Sequence, residues 1–490
     1  MNNQGFSPPQ NAGNQDFNQR GFPHYGHQQG QGHGKSIQYP GGHCGNLSSN
    51  RGVNHRAFGS FDGLSGNPQP IEAPTRAGPS SALVTHTSST PNYVRSQRSD
   101  QLNDLTSGPD QRPAATIALR ADNFPFVEGA RYDYSPSTYG VVKIKNIPFD
   151  TNRAEIIAML GRNSKIINDR HEPVHIIMER VTNRTGDAYV EFMTMYDAAQ
   201  TVEKHQRASA QGRPHRLGDR PVEMELSSQA ALMRDLFPNA RGILWDGATP
   251  HIQPLNPTEP WLSFKGFITE EEMTMLVKHV EVPQRSPFSR DCPQRPFECM
   301  ISTMRKFPWY MTDCITIKQR QSVYAACVNL LRLLQEAMEK KKHEHVLNSQ
   351  LYRRLWTSAM ICRGFTVTMK DSISYLVGLT DEDKREFNMP RFADQWVHIY
   401  TLVPKPGTPL DVIEWYIAII REETNRTVAQ SLPNVQSELQ RQGRQTSLYW
   451  GYLWKEVSHP YGPGFDNMTL AEMAHREFSA LSNILRRALD

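Results

Sequence analysis

Tyr189 stands between Ala188 and Val190 in the run Ala188-Tyr-Val-Glu-Phe192. Alternation of period two marks a half-buried strand, so if Val190 faces a core, Tyr189 faces away from it. Lys143, in Val142-Lys-Ile144-Lys-Asn-Ile147, falls on the same face from an earlier strand. A ring and a cation on an open sheet face suit one task well: the ring stacks an unpaired base, and the cation meets phosphate with salt-dependent, sequence-blind attraction. Arg180 and Arg184 add charge around the turn Asn183-Arg-Thr-Gly186. Blander readings stand beside these. Tyr189 could be a surface tyrosine under a linker, and the cations could simply be solvated.

Other chemistries have less to stand on. The cysteines (Cys44, Cys292, Cys299, Cys314, Cys327, Cys362) form no CxxC pair, and His343 and His345 have no cysteine at finger spacing. There is no Gly-rich phosphate loop or GxSxG. The expectation is therefore a binding protein and not an enzyme, with no cofactor and no metal. The net charge of +4 over 490 residues is too small to argue for nucleic acid, so any electrostatic case must be local. No apolar run approaches the ~20 residues of a membrane span, so no membrane partner is expected. The opening MNNQGFSPPQNAGNQ lacks the basic patch and apolar core of a secretory leader. Reduced cysteines in the nucleus, the cytoplasm or both fit this pattern, and Asn183-Arg-Thr is then an unglycosylated chance match.

The elements that would position these side chains start near Tyr139. Val142 to Ile147 is a strand that Pro148 breaks. Asn152 with Glu155 makes a capping box, followed by Ile156, Ile157 and Leu160. His175 to Val181 and Ala188 to Phe192 are strands on either side of the turn, and Tyr196 to His205 is a second helix. Residues 206–220 are polar and loop-like, and Pro221 to Leu226 is a fourth strand. The order is β-α-β-β-α-β, an α+β ferredoxin-like domain over 138–228, with two helices on one sheet face and the other face open.

Val142-Lys-Ile-Lys-Asn146-Ile147 resembles the six-residue ribonucleoprotein signature. Thr185-Gly-Asp-Ala-Tyr-Val-Glu-Phe192 resembles the eight-residue one. The domain thus looks like an RNA-recognition motif, which implies single-stranded RNA as partner and a role in RNA processing or mRNA fate. Two of the usual ring positions hold Lys143 and Asp187. With Pro148-Phe149 and Arg184 included, the pattern is similar to the quasi-RNA-recognition motifs of the heterogeneous nuclear ribonucleoprotein F/H and epithelial splicing regulator family. That resemblance implies gripping RNA with loop residues. Lys145 matches the family's first-strand basic residue, Phe149 its aromatic after the Leu-Pro pair, and Arg184 its turn cation. Arginine is usual where Lys145 stands, and lysine cannot make the planar two-pronged contact to a base edge. Phe149 could instead staple the first helix. Residues 139–490 also look like an uncharacterised group of fungal proteins with one such domain ahead of a helical region. The alternative is a degenerate motif that binds a peptide.

Flanking this domain, residues 1–135 are rich in Gln, Gly, Ser and Pro and are expected to be a disordered tail. Phe6, Phe17, Phe22, Tyr25 and Tyr39 dot it, as in tails that self-associate. Residues 236–490 are expected to be mostly helical and able to dock a protein partner. Capping boxes stand at Thr269-Glu-Glu-Glu272 and Thr469-Leu-Ala-Glu472, and a long periodic helix runs through Val323, Leu330 and Leu334. Thr408-Pro-Leu-Asp reads as a cap followed by proline at the first helical position. Trp261 to Phe267 could be a strand, which would allow a degenerate second motif near 258–340. The aromatic runs Phe307–Tyr310 and Leu448–Trp454 read as core.

Overall fold

The structure, a computed structural model, describes residues 92–108 and 111–490. Phe6, Phe17, Phe22, Tyr25 and Tyr39 lie outside the described residues. The fold is mixed α+β. A four-stranded antiparallel sheet is built from β1 (Gly140–Lys145), β2 (Val174–Met178), β3 (Thr185–Phe192) and β4 (Glu223–Ser227), in the order β2-β3-β1-β4. Between β1 and β2 runs α1 (Arg153–Leu160), and between β3 and β4 runs α2 (Met195–Ala210).

Val142 pairs with Val190 and Ile144 with Ala188. These four side chains, with Phe192, pack against Ile156 and Leu160 of α1 and Ala198 and Val202 of α2. Asn152 caps α1 through the Glu155 amide while Glu155 reaches back, a device worth about 1 kcal/mol. Gly140 opens β1 because a Cβ there would run into the Thr194 carbonyl.

The expected open face is not open. α3 (Gln229–Leu236) follows β4 and lies against that face together with α5 (Arg295–Lys306). Val141, Met178 and Tyr189 of the sheet thereby join the same core as Leu232 of α3 and Met300 of α5. The apolar residues on α3 and α5 need a partner surface, and the sheet supplies it.

The rest of the C-terminal part is mostly helical, with a hairpin of Ile243–Asp246 and Thr249–Ile252 and one short strand, Leu402–Pro404. Thr269 caps α4 (Glu270–Glu281) and Thr469 caps α9 (Leu470–Leu489), both through full capping boxes. α6 (Ile317–Glu339) buries Leu330, Leu331 and Leu334 completely, and α7 (Ser349–Met360) packs beside it. α8 (Leu410–Ala429) starts one residue later than expected. Pro409 keeps an extended ψ of 144° and stands at the cap, not inside the first turn. Trp261 lies in a 3-10 turn, and 258–340 holds helices and turns but no strand, so no second four-stranded unit forms there. Phe307, Trp309 and Trp450 are core residues.

The expected tail ends too late in the chain. Among residues 92–135, Leu102, Leu105, Ala118, Phe124 and Phe126 are buried in the helical core. Phe126–Glu128 pairs with Leu402–Pro404, Phe126 meets Trp396 and Trp450, and the Tyr416 hydroxyl donates to the Ala118 carbonyl at 2.8 Å. Sparse apolar residues suffice when the surface that buries them lies elsewhere in the chain.

Candidate nucleic-acid interface

A row of paired residues crosses the face opposite α1 and α2: His175, Tyr189, Lys143 and Glu225, one from each strand. Tyr189 and Lys143 share this face, as their alternation requires, but neither is available to a base. Tyr189 is fully buried, and its hydroxyl donates to the Asp235 carboxylate on α3 at 2.5 Å. Burial first, and then Asp235, push its phenol above the ordinary tyrosine range. Lys143 Nζ lies 3.1 Å from both Asp187 and Asp235. Burial works against its charge, but hydrogen bonds with Tyr189, Asp235 and Asp187 hold it above the usual lysine value.

The seal continues along the face. His175 sits between Glu191, at 3.1 Å, and the Ser302 hydroxyl of α5, at 3.0 Å. Glu191 also accepts from Lys306 at 2.8 Å and Gln229 at 2.6 Å. Burial alone would raise this carboxyl, but Lys306 and His175 hold it far below the usual range. Arg180, expected to be a free turn cation, is likewise buried. It donates to Glu272 at 3.0 Å, the Leu236 carbonyl at 2.8 Å and Thr303 Oγ1 at 3.1 Å. A buried guanidinium needs a carboxylate and acceptors, and the helical region provides them.

The other expected residues gather at one end of the sheet. Phe149 is 44% exposed, its ring edge-on to Phe288 at 4.9 Å. Its carbonyl accepts from Arg295 Nη2 at 3.0 Å and Thr185 Oγ1 at 3.1 Å, so the backbone is held while the ring stays accessible. Asn146 adopts a left-handed φ of 60° and donates to the Pro221 carbonyl at 2.9 Å. Lys145 is paired with Glu225 at 2.5 Å beside it. Arg184 is exposed, with no carboxylate within ion-pair distance among the described residues.

Asn146, Phe149, Arg184 and Asp187 border a cleft of about 720 Å³. So does Arg220, which donates to the Ile147 carbonyl at 3.3 Å and also lacks an acidic partner among the described residues. Sequence reasoning missed Arg220 in the polar stretch before the fourth strand. The signal was the Gly218-Asp219 turn, whose two-residue hairpin returns the next residues to the end of β1. The acids lining the cleft are mostly committed: Asp187 and Asp235 to Lys143, and Glu272 to Arg180. Among the described residues there is no group of three or more potential metal ligands and no helix long and apolar enough to cross a membrane.

Residues 138–247 match the family described as "Domain of unknown function (DUF8400)", and residues 264–379 match "Domain of unknown function (DUF8399)". The first match runs past β4 through α3, the helix that covers the sheet. No curated protein matches the chain. One similar solved structure is titled "Crystal structure of Glorund qRRM2 domain". It is 26% identical over 20% of this chain and 99% of its own, with a TM-score of 0.17.

Proposed function

We propose that the chain binds single-stranded RNA through the rim cleft and not across its sheet, as a post-transcriptional regulator acting in the nucleus, the cytoplasm or both. On this reading residues 138–228 are an RNA-recognition motif of ferredoxin-like topology, supported by the paired signatures and the observed strand and helix order. The observation that carries the reading is the set of Phe149, Arg184 and Arg220 around one cleft, while Tyr189 and Arg180 are sealed. One accessible ring stacks a base, and two unpaired guanidiniums meet phosphates. Nothing in the cleft pairs a nucleophile with a base, and the reading is of binding, not catalysis.

The alternative, a peptide held on the sheet face, has its platform already taken by α3 and α5 of the same chain. The test is fluorescence anisotropy of the full chain with labelled single-stranded RNAs of G-rich, pyrimidine-rich and mixed sequence. Affinity that falls with salt, and falls further in an Arg184→Ala/Arg220→Ala variant, is expected. Absence of binding at low salt to all three, or a double variant that binds like the parent, rejects the proposal.

A further inference from the structure

The rim cleft touches the start of β3. Near the end of the same strand, beside Glu191 and its partner Lys306, a second recess of about 250 Å³ opens. The last turn of α5, the end of α7 and the segment 130–137 enclose it. Arg305, Lys306 and Arg363 line it, and no aspartate or glutamate does.

Lys306 is committed to Glu191 and Gln229. The two arginines have only neutral partners. Arg305 donates to Ser358 Oγ at 3.2 Å and to the Arg170 carbonyl at 2.7 Å. Arg363 donates to the carbonyls of Tyr132 at 2.8 Å and Asp133 at 3.2 Å. Glu172 acts on Arg305 electrostatically, but that carboxylate is bonded to Arg354 at 2.8 Å and faces Arg153 at 3.6 Å. Lys370, within electrostatic reach of Arg363 and Cys362, has no ion-pair partner among the described residues. Burial pushes both Arg305 and Lys370 down from their ordinary values, and the attraction of Glu172 and Cys362 does not offset it. The carbonyl end of α5 contributes about half a negative charge, less than two whole cations.

Neutral groups complete the recess. Ser137 Oγ is sealed from solvent with no hydrogen-bond partner, and Ser135 and Ser358 bring further hydroxyls. Tyr134 stacks on Tyr310 with centroids 3.7 Å apart, and the core residues Phe307 and Trp309 also border the recess.

We propose that this recess binds a phosphate monoester carried on a small planar molecule, a nucleoside monophosphate being the simplest case. Arg305 and Arg363 take the phosphate oxygens in the planar, two-pronged way a guanidinium favours, the exposed Ser135 hydroxyl donates to them, and the half-buried Tyr134–Tyr310 pair takes the ring. The site is independent of the rim cleft and of what that cleft binds.

Calorimetric titration of the full chain with adenosine monophosphate, inorganic phosphate and adenosine tests it. The monophosphate is expected to bind at least about tenfold more tightly than phosphate, and adenosine not at all up to about 10 mM. Arg363→Gln and, separately, Ser135→Glu change exposed residues and are each expected to weaken the monophosphate at least about tenfold. Arg184→Ala, at the rim, is expected to change nothing. Four results would each overturn the proposal. These are no monophosphate binding up to about 10 mM, adenosine or phosphate binding as well as the monophosphate, both recess variants binding like the parent, or loss on Arg184→Ala instead.

Discussion

The Tyr189 hydroxyl donates to the Asp235 carboxylate across the boundary between β3 and α3, at 2.5 Å, and Lys143 shares the same carboxylate. A ring and a lysine placed where a base could stack are thus turned to internal use. Tyr189→Phe deletes one hydrogen bond and is expected to cost about 1 kcal/mol. Asp235→Ala leaves the Tyr189 hydroxyl without its acceptor and Lys143 with Asp187 alone. Because Asp235 is partly exposed, its cost is expected to stay at about 1–2 kcal/mol. Neither change is expected to alter RNA affinity by more than about twofold, which denaturant titration and anisotropy on the same samples would check.

Arg180 and Glu272 form a pair that is almost wholly buried. Arg180→Met leaves Glu272 uncompensated and is expected to cost about 3–5 kcal/mol, read as a shift in the urea midpoint. For the same reason residues 138–228 expressed alone are expected to expose Tyr189, Met178 and Val141, to bind hydrophobic dye and to lose sharp amide dispersion. The domain and the helices covering its sheet are expected to melt in one transition. Two well-separated transitions in the full chain would contradict the shared core.

On the proposed reading, Phe149 is the ring that stacks a base. Phe149→Ala is expected to weaken RNA binding by about 1–3 kcal/mol with little loss of stability, because Arg295 and Thr185 hold the backbone and not the ring. Arg184→Ala and Arg220→Ala are each expected to lower the slope of log affinity against log salt by about 0.7. Lys145→Ala, which removes a cation already paired with Glu225, is expected to change that slope less.

Acid is expected to destabilise the fold in two stages. His279 is buried against the Arg180 carbonyl, and desolvation first of all lowers its folded pKa below 6.5. The unfolded chain therefore takes up the proton first, and stability present above about pH 6.5 is lost as pH falls. Glu191 is depressed below 4.5, because Lys306 and His175 outweigh its burial. Its contribution is present above about pH 4.5 and is lost as pH falls further toward the folded value. Melting temperature measured from pH 8 to 3 is expected to show both declines. His279→Gln is expected to shrink the upper decline, to which His205 and His398 also contribute, and Glu191→Gln the lower one, to which Asp197 contributes.

Phe126 lies in a stretch whose composition suggests a tail, yet it is buried against Trp396 and Trp450. Phe126→Ala is expected to cost about 3–5 kcal/mol. A chain shortened to begin at residue 136 is expected to lose at least that much, checked by thermal melting beside the full chain.

Local pattern was enough for the βαββαβ order. The alternation of Val142 and Ile144 in β1, and of Ala188 and Val190 in β3, dictates which side chains share a face. The Asn152 capping box places α1, and the Thr269 and Thr469 boxes place α4 and α9. These signals act over a few residues, through backbone hydrogen bonds and the pleat, so one chain segment contains them whole. Whether a face meets water or another element is decided over distances of tens to hundreds of residues. Tyr189 pointed where the alternation said, but α3 and α5 had apolar and charged surface of their own to cover, and Ser302 and Lys306 matched His175 and Glu191. Arg180 found Glu272, and Phe126 found Trp396, for the same reason. Burial and ion pairing belong to pairs of distant surfaces, so tertiary structure alone left Phe149, Arg184 and Arg220 as the accessible remainder around one cleft.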